Sequence, residues 1–185
     1  NATIGFSLFQ SGMNFILKYQ GSTSSGFVKV IQNLISILSS TGIVIKLNIL
    51  PIYASETVRI VHIGCFFFFI YIIGILNAAF LEARPFWYDS RIWNGDWTCP
   101  LTFGQPSGHS FAAIFILAIV SDAIGYLKFH VLAIPLLFFW VVMPFTRLYL
   151  GVHNVNQVLF AETLGFIFLI LFKYIYQEQL FKLFW

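Results

Sequence analysis

The sequence predicts an all-α integral membrane protein, a bundle of about five to six transmembrane helices, and three observations carry that expectation. Of its 185 residues, 59% are hydrophobic and only 9% are charged, with a mean hydropathy of +0.85. Water-soluble domains carry about 25% charged residues, so 10 Lys/Arg and 7 Asp/Glu cannot clothe a soluble surface of this size. The apolar residues also fall into long runs of the roughly 20-residue length that a bilayer crossing requires.

Taken in order, residues 4–19 (IGFSLFQSGMNFILKY) mix apolar and polar positions and are short for a crossing, which predicts an interfacial or partial helix. GSTSSG at 21–26 is a flexible break. The chain therefore divides into an N-terminal helix and linker, 1–26, and a membrane-embedded domain, 27–185. Apolar stretches at 28–53, 59–82, 109–126, 129–146 and 155–176 are each long enough to span with some tilt. One connection is long: residues 83–108 hold Trp87, Trp93 and Trp97, three of the five tryptophans. With Phe86 and Tyr88 these read as an interfacial aromatic belt.

Several function classes drop out. A net charge of +3 spread along the chain forms no basic stripe, so no nucleic-acid partner is expected. Cys65 lies in an apolar run and Cys99 in a polar loop, a poor geometry for a disulfide. Neither CxxC nor HExxH occurs, and no metal or cofactor is expected. Apart from Asn77 and His62, no strongly polar residue is central to a span, which argues against an ion path. His62, near Arg59, reads as a hydrated interfacial histidine, and Glu162 and Asp122 as groups that pair with neighbours. The chain begins at Asn1 rather than Met, as a processed or shortened terminus would, and shows no signal peptide. Asn1-Ala2-Thr3 fits a glycosylation sequon of the kind common by chance.

Counting crossings puts Arg84, the PSGH segment at 106–109, Arg147 and His153 at one membrane face. Two guanidiniums bind phosphate oxygens through paired, charge-assisted N–H bonds. Ser107 and Gly108 open the helix that follows: serine supplies a hydroxyl, and glycine lets an oxyanion approach the backbone amides of the first turn. Of two histidines beside such a phosphate, one can attack phosphorus and the other can protonate the leaving alcohol.

RP at 84–85, PSGH at 106–109 and R-x5-H at 147–153 resemble, in order and spacing, the signature motifs of the type 2 phosphatidic acid phosphatase superfamily. That superfamily includes lipid phosphate phosphatases and glucose-6-phosphatase. The resemblance covers about residues 28–176 and implies a helical histidine-phosphatase fold with its site at one membrane face. It implies His153 as nucleophile and His109 as the acid for the leaving group. Arg84, Arg147, Ser107 and the Gly108 amide would hold the phosphate, with Asn77, Thr146 and Gln157 in support. The family's first motif normally starts with lysine seven positions ahead of its arginine, and Asn77 stands there, removing one phosphate-neutralising charge. Gln157 stands where aspartate is commoner, and is expected to orient the His153 imidazole as the third member of a triad does. Thr146 replaces the usual serine and keeps its hydroxyl.

The expected activity is metal-independent hydrolysis of a phosphate monoester, a lipid phosphate above all, through a phosphohistidine. The expected partners are membrane lipids and the phosphate-ester substrate. The alternative is an impaired phosphatase fold serving as a structural subunit, with partner subunits in a larger membrane complex. Lys46, Arg59, Lys128, Lys173 and Lys182 fall opposite the site, against Arg91 and Lys29 beside it. The positive-inside rule then turns the site to the lumenal, intermembrane-space or exterior face.

Overall fold

The computed structural model describes residues 2–22, 56–94, 100–114 and 126–175, with Gly26, Val30 and Leu34 between them. Among the described residues the chain is helical, without strands. The expected span at 28–53, Asp122, Cys99, Trp97 and the lysines at 29, 46 and 182 lie outside these described residues, save Val30 and Leu34. So does most of the expected span at 109–126, and the same holds for Asn1 of the sequon.

Helix α1, Ala2–Ser22, is longer than its mixed composition suggests. Met13 and Ile16, three residues apart on one face, are buried while Asn14 and Lys18 are exposed. The buried pair packs on Ile92 and Phe86 of the long connection, and α1 touches both of the last two helices. Helix α2, Glu56–Phe80, is the apolar run expected at 59–82. It stops at Leu81, whose φ of 51° is left-handed while its N–H still bonds Asn77 O at 3.3 Å. Pro85 then opens a one-turn helix α3, Pro85–Tyr88, in the position where a missing N–H costs nothing.

Helix α4 begins at 108 and is described over 108–114. Ser107 is its N-cap: the Ser110 N–H donates to Ser107 Oγ at 3.4 Å, and Phe111 N–H to Ser107 O at 3.1 Å. Helix α5, Tyr126–Tyr149, ends at Gly151, whose φ of 59° suits the left-handed turn closing a helix. Only glycine fits there, since a Cβ would strike Ile92 Cγ2 and lie 2.9 Å from Trp93 O. Helix α6, Val155–Ile175, starts with half a capping box, Asn154 N–H donating to Gln157 Oε1 at 3.0 Å.

The core joins α2, α4 and α6 through Phe66, Phe69, Phe111, Ala161 and Phe172. Phe69 and Phe111 stack at 4.0 Å between centroids, a contact worth about 0.5–1.5 kcal/mol beyond its buried area. The outward faces of α2 and α6 are equally apolar: Phe67, Tyr71 and Ile170 are 65%, 66% and 68% exposed. Two described stretches, Ile63–Tyr88 and Val155–Phe172, are long and apolar enough to cross a membrane. An apolar exterior over helices of this length faces lipid.

Candidate active site

Three chain segments meet where α2 ends and α6 begins. The first is the α2–α3 junction with Arg84, the second is 102–110 leading into α4, and the third is the α5–α6 turn, 150–154. Arg84 joins them. Its Nε donates to Thr102 O at 2.6 Å, and Nη2 donates to Thr102 Oγ1 and Phe103 O, both at 3.1 Å. Its Nη1 donates to Val152 O at 2.9 Å and points at His153 Nε2 at 3.2 Å. A guanidinium has five N–H donors, so every one of them meets an acceptor here. Arg84 is therefore first a staple between the second and third segments. The contact with His153 is the one that faces the reacting nitrogen.

His153 is buried at 4% exposure, with Nδ1 2.8 Å from Gly104 O. A carbonyl only accepts, so Nδ1 carries the hydrogen and Nε2 keeps the lone pair. Burial pushes the imidazole well below its usual pKa, aided by the nearby charges of Arg84, His109 and Arg147; the Gly104 bond opposes this. The ring is thus neutral near pH 7, with its lone pair turned towards a guanidinium.

The structure brings His109, Arg84, Arg147 and His153 close enough for each of the others to act on His153 electrostatically. Arg147 sits in the last turn of α5, buried, with Nε donating to Thr146 Oγ1 at 3.3 Å. The Thr146 hydroxyl is itself fixed by donating to Met143 O at 2.7 Å. Ser107 is fully buried, and its hydroxyl pairs with Ser110 Oγ at 3.0 Å as well as capping α4. Its N–H donates to Gln157 O at 3.2 Å, which ties the PSGH segment to α6.

Gly108 and His109 border a cavity of about 150 Å³ whose other walls are Phe66, Phe69, Ile70, Ile73 and Ala112. Asn77, one turn beyond Ile73 on α2, donates from Nδ2 to Ile73 O at 2.8 Å. Its Oδ1 is buried and meets no hydrogen-bond partner among the described residues.

Gln157 corrects one expectation. Its side chain does not orient the His153 ring; Gly104 O does. His153 precedes α6, so the helical rule that residues four apart share a face does not apply to the pair. Gln157 instead donates from Nε2 to Ala83 O at 3.0 Å and accepts from Asn154 N–H. It supports the site by holding the residues beside Arg84 and His153.

Four contributors were not singled out from sequence. Gly104 donates its N–H to Glu82 O at 2.8 Å and offers its carbonyl to His153. A Cβ there would lie 2.6 Å from Gln157 Oε1, so only glycine fits. Thr102 holds Arg84. Asn154 reaches α1, donating from Nδ2 to Phe9 O at 3.1 Å, and Gln20 of α1 donates to Trp93 O and Tyr149 O. Glycine two positions ahead of Pro106 is a sequence signal for Gly104 as a turn; the other contacts are long-range and leave no local pattern.

Comparison with known proteins identifies the family and the fold. Residues 60–181 match the PAP2 superfamily, and the chain belongs to that family. Its fold is similar to the crystal structure of the first transmembrane PAP2 type phosphatidylglycerolphosphate phosphatase from Bacillus subtilis. That likeness has a TM-score of 0.71 at 20% identity, covering 92% of this chain and 87% of that one. No curated protein matches the sequence.

Proposed function

We propose that this protein hydrolyses a lipid phosphate monoester without a metal, through a phosphohistidine formed on His153. The observation that carries the reading is the fixed tautomer of His153: Nδ1–H on the Gly104 carbonyl, Nε2 unprotonated and turned to Arg84. In this reading the phosphate enters between Arg84, Arg147 and the Ser107–Gly108 turn, and takes over the Arg84 Nη1 donor that otherwise meets Nε2. The Nε2 lone pair forms the N–P bond while the P–O bond to the alcohol breaks, and His109 gives its proton to the departing oxygen. Water, deprotonated by His109, then breaks the N–P bond and releases phosphate. The guanidiniums and the Gly108 amide stabilise charge on the equatorial oxygens.

The cavity beside His109 supports a lipid. The group that receives the His109 proton is the alcohol half of the ester, and the walls next to it are Phe66, Phe69, Ile70 and Ile73. An apolar pocket favours an acyl-bearing alcohol over a sugar. The charge asymmetry of the loops supports a site on the non-cytoplasmic face. The test is to quench turnover of 32P-labelled lysophosphatidate and locate the label. Acid-labile, base-stable label on His153 supports the reading, and label that survives in His153→Ala overturns it.

A second reading, a phosphatase fold retained as a structural subunit, draws on Asn77, which supplies no charge, and on Arg84, whose donors all meet protein acceptors. It predicts no turnover and co-purification with partner subunits.

A further inference from the structure

The segment 101–104 has two unlike sides. Its inner side is polar and meets the site through the main chain and one hydroxyl. Thr102 O, Thr102 Oγ1 and Phe103 O accept from Arg84. Gly104 O meets His153 Nδ1, and Gly104 N–H donates to Glu82 O at 2.8 Å. Its outer side is apolar and bare: Leu101 is 91% exposed, and Phe103 is exposed as well. Helix α3 is built the same way, with Arg84 and Pro85 buried at its start and Trp87 and Tyr88 exposed at its end. The Trp87 and Phe103 rings meet edge to face at 5.9 Å between centroids. The two segments are therefore joined twice, by Arg84 on the inside and by this ring pair on the outside.

A cluster of exposed apolar side chains marks a surface that something covers, and the surroundings of this one point to lipid. The lipid-facing side of α2 runs through Phe67, Tyr71, Phe80 and Leu81. The bond from Gly104 to Glu82 pins the 101–104 segment beside the residue that follows Leu81, so the cluster continues that surface. The apolar stretch long enough to cross a membrane, Ile63–Tyr88, itself ends on Trp87 and Tyr88. An exposed ion pair follows at once, Arg91 Nη2 to Asp89 Oδ2 at 2.7 Å. Tryptophan and tyrosine set between an apolar span and a charged pair mark the headgroup level of a bilayer.

We infer that Leu101, Phe103, Trp87 and Tyr88 form a lip that rests in the headgroup–acyl boundary, and that lipid held against it sets the positions of Arg84 and His153. The second half of the inference rests on the phosphatase reading above. With the lip in lipid, the Trp87–Phe103 contact stays packed and the acceptors that aim Arg84 and His153 stay in place. Forced into water, the apolar side chains seek other cover, and the carbonyls of 102–104 move with them.

The test uses the purified protein in phosphatidylcholine vesicles. With Cys65 and Cys99 replaced by alanine, Leu101→Cys carries a nitroxide, and its relaxation by oxygen is compared with that by a water-soluble nickel chelate. Oxygen, which concentrates among acyl chains, should dominate. Relaxation dominated by nickel puts the lip in water and overturns the inference. Dipolar broadening between labels puts a second copy of the chain there and overturns it equally. Turnover reads the coupling, with p-nitrophenyl phosphate beside lysophosphatidate because delivery of a water-soluble ester does not depend on the membrane surface. Leu101→Asp, at a side chain too exposed to disturb folding, should lower kcat at least about tenfold with little change in KM, a misplacement of about 1 Å costing on the order of 10²-fold. Leu101→Phe should keep wild-type turnover. Leu101→Asp that turns over like the wild type overturns the coupling. A label in lipid on a protein that turns over neither ester overturns the phosphatase reading and leaves the membrane contact standing.

Discussion

Replacing Gly104 by alanine tests how the nucleophile is held. A Cβ on Gly104 would lie 2.6 Å from Gln157 Oε1 and 2.7 Å from Nε2, closer than carbon tolerates. The neighbour is a buried side chain fixed at both atoms, by Asn154 N–H and Ala83 O, each at 3.0 Å. Making room breaks both bonds, and at about 0.5–1.5 kcal/mol each the variant should lose about 1–3 kcal/mol of stability. The same displacement shifts the Gly104 carbonyl that fixes His153 Nδ1. A misplacement of about 1 Å costs on the order of 10²-fold in rate, so kcat should fall by roughly that factor with a smaller change in KM. The assays are thermal unfolding in detergent and phosphate release from lysophosphatidate. Adding Gln157→Ala removes the clashing atoms, so the double variant should be less destabilised than the sum of the singles. Gly104→Ala with wild-type stability and kcat would refute this account of the glycine, as would full additivity.

Other sites give independent outcomes. Gly12→Ala drives a Cβ into Asn154 Oδ1, which accepts from Val155 N–H at 2.7 Å; we expect a loss of about 1–3 kcal/mol in unfolding experiments, with α1 loosened from the α5–α6 turn. Thr146→Val removes the acceptor that aims Arg147 Nε, and kinetics should show a rise in KM for the phosphate ester, with Thr146→Ser restoring it. The depressed pKa of His153 makes stability acid-sensitive. The unfolded imidazole takes a proton near pH 6.5 and the folded one does not, so the unfolded state binds more protons below that pH and stability falls as pH drops through it. Unfolding midpoints between pH 7.5 and 5 should show this slope in the wild type and a shallower one in His153→Gln.

Features that consist of neighbouring residues were legible in the sequence. The last expected span, 155–176, is observed as Val155–Ile175, and the one at 129–146 lies inside Tyr126–Tyr149. Apolar runs of bilayer length have few other physical outcomes. Arg84, PSGH and Arg147-x5-His153 could be placed on one face because crossings alternate, and the structure brings them together. Gln157 does not reach the His153 ring because helical spacing does not hold across a helix start: His153 lies in the turn before Val155. Gly104 and Asn154 were illegible because they act through backbone groups and partners distant in sequence. Gly104 meets His153 across 49 positions and Asn154 meets Phe9 across 145. Helix α1 reads as short because polar residues such as Asn14 and Lys18, exposed on its outer side, interrupt its apolar run; its packing on Ile92 shows only once the long connection has folded over it.

The most direct measurement is phosphate release from lysophosphatidate by the purified protein in detergent with EDTA present, beside His153→Ala prepared in the same way. The account predicts steady release by the wild type and none above background by the variant. Release that persists in His153→Ala, or that needs an added divalent cation, would contradict a histidine nucleophile served by Arg84 and Arg147.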